Sequence, residues 1–173
     1  LLDIDMEAIA EAISHQFGGK KAAVALNKAA ADAGYEWAKA NLPKHPNLRM
    51  RPSSKTQDKI IIEGNEATAI GLLFGGTTVL AWYPITPSSS VCENLIDLLE
   101  KYRNDPETGK STYAAVQAED EMASIGMVLG AGWAGARAVT ATSGPGISLM
   151  SEMAGLSYFA EIPAVIVDVQ RMG

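Results

Sequence analysis

From Gly64 onward, apolar and polar positions alternate between two periods. A helix is expected from about Asn65 to Gly75, followed by an apolar strand over Thr77–Trp82. The next helix, Ser88–Arg103, carries Val91, Leu95, Leu98 and Leu99 at helical spacing. A charged turn, Asn104–Lys110, leads to a strand over Thr112–Gln117. A helix over Glu121–Ala134, a strand over Ala136–Ala141, a helix over Ile147–Phe159 and a strand over Pro163–Val169 complete the pattern. Strands separated by helices of this length make βαβ units, so the expected fold is α/β, an open parallel sheet with helices on both faces.

The first part of the chain reads differently. Met6, Ile9, Ala10, Ile13 and Phe17 keep a helical period that Gly18-Gly19 interrupts. An Ala-rich helix follows from Lys21 to Ala40, with Leu26, Ala29, Ala33 and Trp37 on one side, and Pro43 and Pro46 close it. Residues 43–58 have no apolar period and read as a linker. Two helices bury too little surface to stand alone, so residues 1–42 are expected to be the helical tail of a preceding domain. Residues 59–173 are then the α/β domain, and both ends of the chain read as internal to a longer polypeptide.

Composition narrows the possibilities. With 47% apolar and 20% charged residues, the chain has the make-up of a globular protein, and it holds no apolar run long enough to span a membrane. Residues 1–58 carry 8 basic and 7 acidic side chains, and residues 59–173 carry 6 and 13. That acidic excess argues against nucleic acid, which needs Lys and Arg to neutralise phosphates. A single cysteine, Cys92, leaves no internal disulfide and no Cys-rich metal or iron–sulfur site. His15 and His45 offer no metal pair, so no metal is expected on this chain, and a reduced cytoplasmic compartment fits.

In a parallel sheet the carboxyl ends of all strands share one edge, where ligands bind. Here the post-strand segments are Tyr83–Ser90, Glu119-Asp120-Glu121, Thr142–Gly146 and Gln170-Arg171, and each is polar or charged. Pro84 and Pro87 stiffen the first loop and hold Thr86 between them, with Ser88 or Ser89 placed to cap the next helix. One of the carboxylates Glu119, Asp120 and Glu121 can face the rim while the others meet the helix dipole. Behind them Gly126, Gly130, Gly132 and Gly135 weaken the helix, which close packing against a backbone or cofactor would explain. Ser143-Gly144-Pro145-Gly146 opens a helix whose free N–H groups could hold an anion. Arg171 is the one cation among the late rim residues and suits a substrate carboxylate.

Five segments together carry a family resemblance: Gly64-Asn-Glu-Ala67, Tyr83-Pro-Ile-Thr-Pro-Ser-Ser89, Ala118-Glu-Asp-Glu-Met-Ala123, Thr140-Ala-Thr-Ser-Gly-Pro-Gly-Ile-Ser-Leu-Met150 and Val169-Gln-Arg171. Over about residues 60–173 the chain resembles the α subunit of 2-oxoacid:ferredoxin oxidoreductases. Residues 1–42 resemble the last helices of the γ domain fused ahead of α in many members, an arrangement frequent among 2-oxoglutarate enzymes. The resemblance implies the pyrimidine-binding half of a thiamine diphosphate fold, with Mg²⁺ and at least one [4Fe–4S] cluster on a separate β subunit of a hetero-oligomer. It implies oxidative decarboxylation of a 2-oxoacid, 2-oxoglutarate first, with CoA to acyl-CoA and CO2, and electrons passed to ferredoxin.

By motif position, Glu121 matches the glutamate on the aminopyrimidine, with Glu119 the alternative if the register slips. Thr86 and Arg171 match the contacts to the substrate carboxylate end. Tyr83, Pro84, Ile85, Ser143 and Gly144 join Glu121 as cofactor-binding positions. Pyruvate or another 2-oxoacid as substrate, and a non-catalytic assembly subunit, remain open alternatives.

Overall fold

The computed structural model describes residues 2, 4–44, 47–51 and 53–170, and the chain divides into two compact units, Leu1–Ile60 and Ile61–Gly173. In the first unit, α1 (Met6–Gln16) begins at Asp5, whose carboxylate accepts from the Glu7 N–H at 2.9 Å. Its partner α2 (Lys21–Asn41) follows after the Gly18-Gly19 break, where both glycines have positive φ. Neither helix fully buries a residue, and Leu26 and Trp37 are mostly exposed.

The second unit is a four-stranded, wholly parallel sheet. It contains α3 (Gly64–Phe74), β1 (Val79–Trp82), α4 (Ser89–Tyr102), β2 (Ala114–Gln117), α5 (Glu121–Trp133), β3 (Ala138–Thr142), α6 (Pro145–Leu149), α7 (Ser151–Phe159) and β4 (Val165–Asp168). Side chains alternate across the sheet, so the central strands β1 and β3 feed two cores, while the edge strand β2 is exposed along its length. On one face Leu80, Trp82, Val139 and Ala141 meet Ala69 of α3 and Val91, Cys92, Leu95 and Leu99 of α4. On the other, Ala81 and Ala138 meet Ile125, Val128 and Leu129 of α5 together with Met150 and Ile162. Helices therefore cover both faces of a parallel sheet, as the alternating pattern predicts. Fully burying a side chain such as Leu95 or Ile125 stabilises the fold by about 1.5–3 kcal/mol.

Cys92 belongs to the first core and is fully buried. Burial pushes its thiol up to about 12, the Glu93 charge adds to the shift, and a hydrogen bond from the Ala141 backbone opposes it. The thiol is thus a packing group.

The strand order is β2-β1-β3-β4. The chain leaves β1 through α4 to one side and leaves β3 towards β4 on the other, so the direction of winding reverses between β1 and β3. The outer ladders run four pairs each, from Val79↔Ala114 to Trp82↔Gln117 and from Val139↔Val165 to Thr142↔Asp168. The central ladder joins Val79↔Ala138 and Leu80↔Val139, at the amino halves of the two strands. A crevice outside the carboxyl ends at such a reversal is the ligand-binding position of open α/β sheets.

Two local expectations need correction. The helix expected over Ile147–Phe159 is two helices, α6 and α7, separated at the buried Met150. Within this chain, close packing of the α5 glycines is seen at Gly132, where a Cβ would lie 2.5 Å from the Pro163 carbonyl oxygen. A Cβ on Gly126 or Gly130 would meet nothing within 4 Å, and Gly135 ends the helix with φ +90.

Candidate functional site

The loop leaving β1 is held by its neighbours. Asn65, in the first turn of α3, donates through its amide to the Pro87 carbonyl at 2.9 Å and to the Ser90 hydroxyl at 2.7 Å. These bonds tie the start of α3 to the Thr86–Pro87 peptide, which is cis. Ser88 occupies the N-cap position, but it does not cap: its backbone is already helical (φ −74, ψ −23), and its hydroxyl donates back to the Ile85 carbonyl at 2.9 Å. The bond folds the loop onto itself and leaves Tyr83, Pro84 and Thr86 exposed, with Ile85 half-buried. Asn65 was not singled out from the sequence. The motif Gly64-Asn-Glu-Ala67 contained it, yet an Asn near a helix start reads as a capping residue until its distant partners are seen.

After β2 the three acidic residues separate by role. Asp120, in extended backbone, is the N-cap of α5 and accepts from the Ala123 N–H at 2.6 Å. Glu119 is exposed. Glu121 is half-buried, and its side chain lies over Gly146, where a Cβ would be 3.2 Å from Glu121 Cγ and 3.3 Å from Oε1. That same Cβ would overlap the Thr142 hydroxyl oxygen, so only glycine fits at 146. Among the described residues, nothing hydrogen-bonds to or ion-pairs with the Glu121 carboxylate.

The turn after β3 brings Ser143 and Gly144 to the same edge. Gly144 has φ +51, a conformation in which a Cβ is strained, and Pro145 follows as the first helical residue. Few N–H groups are free for an anion at the first turn of this helix. Pro145 has no N–H, the Gly146 N–H donates to the Ser143 carbonyl at 3.1 Å, and that of Ile147 donates to Gly144 at 3.3 Å. The helix itself is only 5 residues long. Thr142 proves to be the last strand residue rather than part of the turn, and it is fully buried.

The structure thus brings Glu121, Thr142 and Gly146 together. It sets Tyr83, Pro84, Ile85 and Thr86 on the same edge, across the β1–β3 junction, with no hydrogen bond to Glu121 or Ser143. After β4, Gln170 turns back to donate to Asp168 at 2.7 Å. Arg171 and His45 lie outside the described residues.

Hollows in this unit lie elsewhere. One of about 480 Å³ sits at the opposite, amino edge, lined by Gly71, Gly75, Thr77, Gly132, Arg137 and Pro163 among others. It offers no free reactive group, because the Arg137 guanidinium is already donating to the Gly75 carbonyl at 2.7 Å. The carboxyl edge carries the unpaired carboxylate, and chemistry decides in its favour. No described helix is long and apolar enough to cross a membrane.

Comparison with known proteins identifies the family. Residues 70–173 match the family described as pyruvate flavodoxin/ferredoxin oxidoreductase, thiamine diphosphate-binding. The α subunit of 2-oxoacid:ferredoxin oxidoreductase 2 from Aeropyrum pernix is 40% identical over 183 residues, covering 100% of this chain and 28% of the relative. The 2-oxoglutarate synthase subunit KorA of Methanocaldococcus jannaschii is 46% identical over 112 residues, covering 65% of this chain and 28% of the relative. Among solved structures, a 2-oxoglutarate:ferredoxin oxidoreductase from Magnetococcus marinus, with 2-oxoglutarate, coenzyme A and succinyl-CoA bound, superposes with a TM-score of 0.76. It is 40% identical, and the match covers 99% of this chain and 28% of that one. The chain therefore spans less than a third of these relatives.

Proposed function

We propose that this chain, which belongs to the thiamine diphosphate-binding family of pyruvate flavodoxin/ferredoxin oxidoreductases, is the pyrimidine-binding part of the catalytic α subunit of a 2-oxoacid:ferredoxin oxidoreductase. The reaction is oxidative decarboxylation of a 2-oxoacid, 2-oxoglutarate first, with CoA to acyl-CoA and CO2, electrons passing to ferredoxin. The observation that carries the reading is the Glu121 carboxylate, half-buried and unpaired, lying over Gly146 at the edge where the sheet reverses its winding.

The residues fit the pyrimidine half of the cofactor. A flat heterocycle needs a carboxylate facing a ring nitrogen and a surface without projecting side chains, and Glu121 over Gly146 offers both. The start of α6 offers little to a diphosphate, since Pro145 has no N–H and those of Gly146 and Ile147 are used internally. The diphosphate, Mg²⁺ and the [4Fe–4S] cluster are then expected on a β subunit, which makes the enzyme a hetero-oligomer. When bound, thiamine diphosphate supplies the electron sink that lets a 2-oxoacid lose CO2.

This chain's residues do the positioning. Glu121 holds or releases a proton at its carboxylate towards the ring. Tyr83, Pro84 and Ile85 form a stiff wall at the end of β1, and Ser143 and Gly144 bound the opposite side. Thr86, exposed and held between prolines, and Arg171 orient the substrate's carboxylate end. Asn65 acts indirectly, by fixing the Pro87 loop that presents Thr86. Residues 1–42 are read as the tail of a preceding γ-like domain, 43–58 as a linker, and the cytoplasm as the working compartment.

The test is 2-oxoacid-dependent reduction of a viologen dye by the full-length chain co-expressed with its β subunit, supplied with CoA and thiamine diphosphate. Reduction with 2-oxoglutarate and little with pyruvate is the expected result. Pyruvate-driven reduction would reassign the substrate. No reduction with any 2-oxoacid, from a complex with intact clusters, would make this a non-catalytic assembly subunit.

A further inference from the structure

Two side chains on β3 hold buried hydroxyls with nothing to bond. Thr140 and Thr142 are both fully buried, and neither Oγ1 has a hydrogen-bond partner among the described residues. A buried hydroxyl left unpaired is unfavourable compared with a methyl group of the same shape, so valine would serve either position better if packing were the whole purpose. Alternation puts both on the face of the sheet that α5 covers. Their surroundings differ at one point. A Cβ at Gly146 would run into the Thr142 hydroxyl oxygen and also crowd Glu121 Cγ and Oε1, at 3.2 and 3.3 Å. The missing side chain of Gly146 thus leaves its place to the Thr142 hydroxyl, with the Glu121 side chain beside the same glycine. Thr140 lies one full strand repeat deeper.

We propose that Thr142 is a positioning residue for Glu121: its hydroxyl, seated where Gly146 lacks a side chain, donates to the carboxylate once the cofactor ring is bound, fixing which oxygen faces that ring. The inference rests on the reading of Glu121 as the ring-facing acid. A hydroxyl suits the task because it donates one hydrogen bond whichever oxygen the acid's own proton occupies. With one oxygen held by Thr142, the other is left to exchange a proton with the ring nitrogen. The unpaired state of the hydroxyl in the chain alone is then what a site awaiting its ring would leave.

The test compares Thr142→Val, Thr142→Ser and Thr140→Val in the full-length enzyme with its β subunit. Three quantities are read: the melting temperature, the thiamine diphosphate dissociation constant from a tryptophan-fluorescence titration, and kcat with KM for the 2-oxoacid. Thr142→Val should melt at or above the wild-type temperature, bind the cofactor roughly tenfold more weakly and lose roughly tenfold or more in kcat, with KM unchanged. Thr142→Ser should restore both to near wild type, and Thr140→Val should leave both unaltered. Should Thr142→Val not assemble, Thr142→Ala carries the same comparison against Thr142→Ser. Wild-type affinity and kcat in the hydroxyl-free variant, or equal losses in Thr140→Val, would overturn the assignment. A wild-type enzyme that takes up no thiamine diphosphate would instead remove the reading beneath it, and the assignment with it.

Discussion

At the amino edge of the sheet, polar groups close on one another. Arg137 donates to the Gly75 carbonyl at 2.7 Å and Ser157 to Ile162 at 2.7 Å, each tying a helix end to the segment before a strand, and Arg103 donates to Leu73 at 3.1 Å, tying the ends of α4 and α3. At the carboxyl edge, the Glu121 carboxylate has no partner among the described residues and the Thr142 hydroxyl is buried without one. Both edges also carry a glycine that tolerates no side chain: Gly132 against the Pro163 carbonyl, and Gly146 against Thr142. The same device therefore serves two ends. At the amino edge it lets backbone pack on backbone; at the carboxyl edge it accommodates the Thr142 hydroxyl beside Glu121. Native proteins satisfy buried polar groups almost everywhere, so unpaired groups at this edge are what a ligand-binding edge would carry.

The largest way to break this contrast is Glu121→Gln. The amide keeps the shape and removes the exchangeable acid, so kcat should fall by roughly 10²–10⁴-fold while circular dichroism and melting temperature stay near wild type. Steady-state kinetics beside a melting curve checks both halves.

The two glycines sharpen the contrast further. Gly132→Ala and Gly146→Ala each force a Cβ into occupied space, and each should destabilise by about 1–3 kcal/mol in denaturant titration. Their kinetics should part: Gly146→Ala loses cofactor affinity, and Gly132→Ala keeps it. Asp120→Ala removes the cap of α5 and should cost about 1 kcal/mol, with a smaller loss of kcat because Glu121 sits on the turn that the cap orders. The smallest effect belongs to the interior between the edges. With its thiol pushed from 9.0 up to about 12, Cys92 should react with iodoacetamide at pH 8 roughly a thousandfold more slowly than a free thiol. Its neutral form is favoured in the fold, so its contribution is complete below the unfolded value and declines as pH rises towards 12.

Much of this was legible from the pattern of residues. Alternating periods placed all four strands and α3 to α5 within a few residues, because each element buries a face and must repeat accordingly. Convergence of the post-strand segments followed from parallelism alone. The break between α6 and α7 was not legible: no proline or glycine stands at Met150, and the interruption comes from burying that side chain against α5 and the sheet. Nor was the internal use of the Gly146 and Ile147 N–H groups, which the turn's own hydrogen bonds take up. Glu121 and Glu119 could not be told apart by composition. Their separation needed Asp120 in extended backbone as the cap, which fixes which neighbour turns to the sheet. Thr142 was hidden for a related reason, since a threonine before Ser-Gly-Pro reads as a turn residue until its place in the ladder with Asp168 is seen.

The central claim is that Glu121 meets the aminopyrimidine of thiamine diphosphate at the β1–β3 edge. A crystal structure of the full-length enzyme with its β subunit and thiamine diphosphate tests it most directly, through the distance from the Glu121 carboxylate to the ring nitrogens. A separation of about 2.6–3.0 Å, with Gly146 beneath the carboxylate, is the expected result. A ring held by Glu119, or one lying away from this edge, would contradict the account.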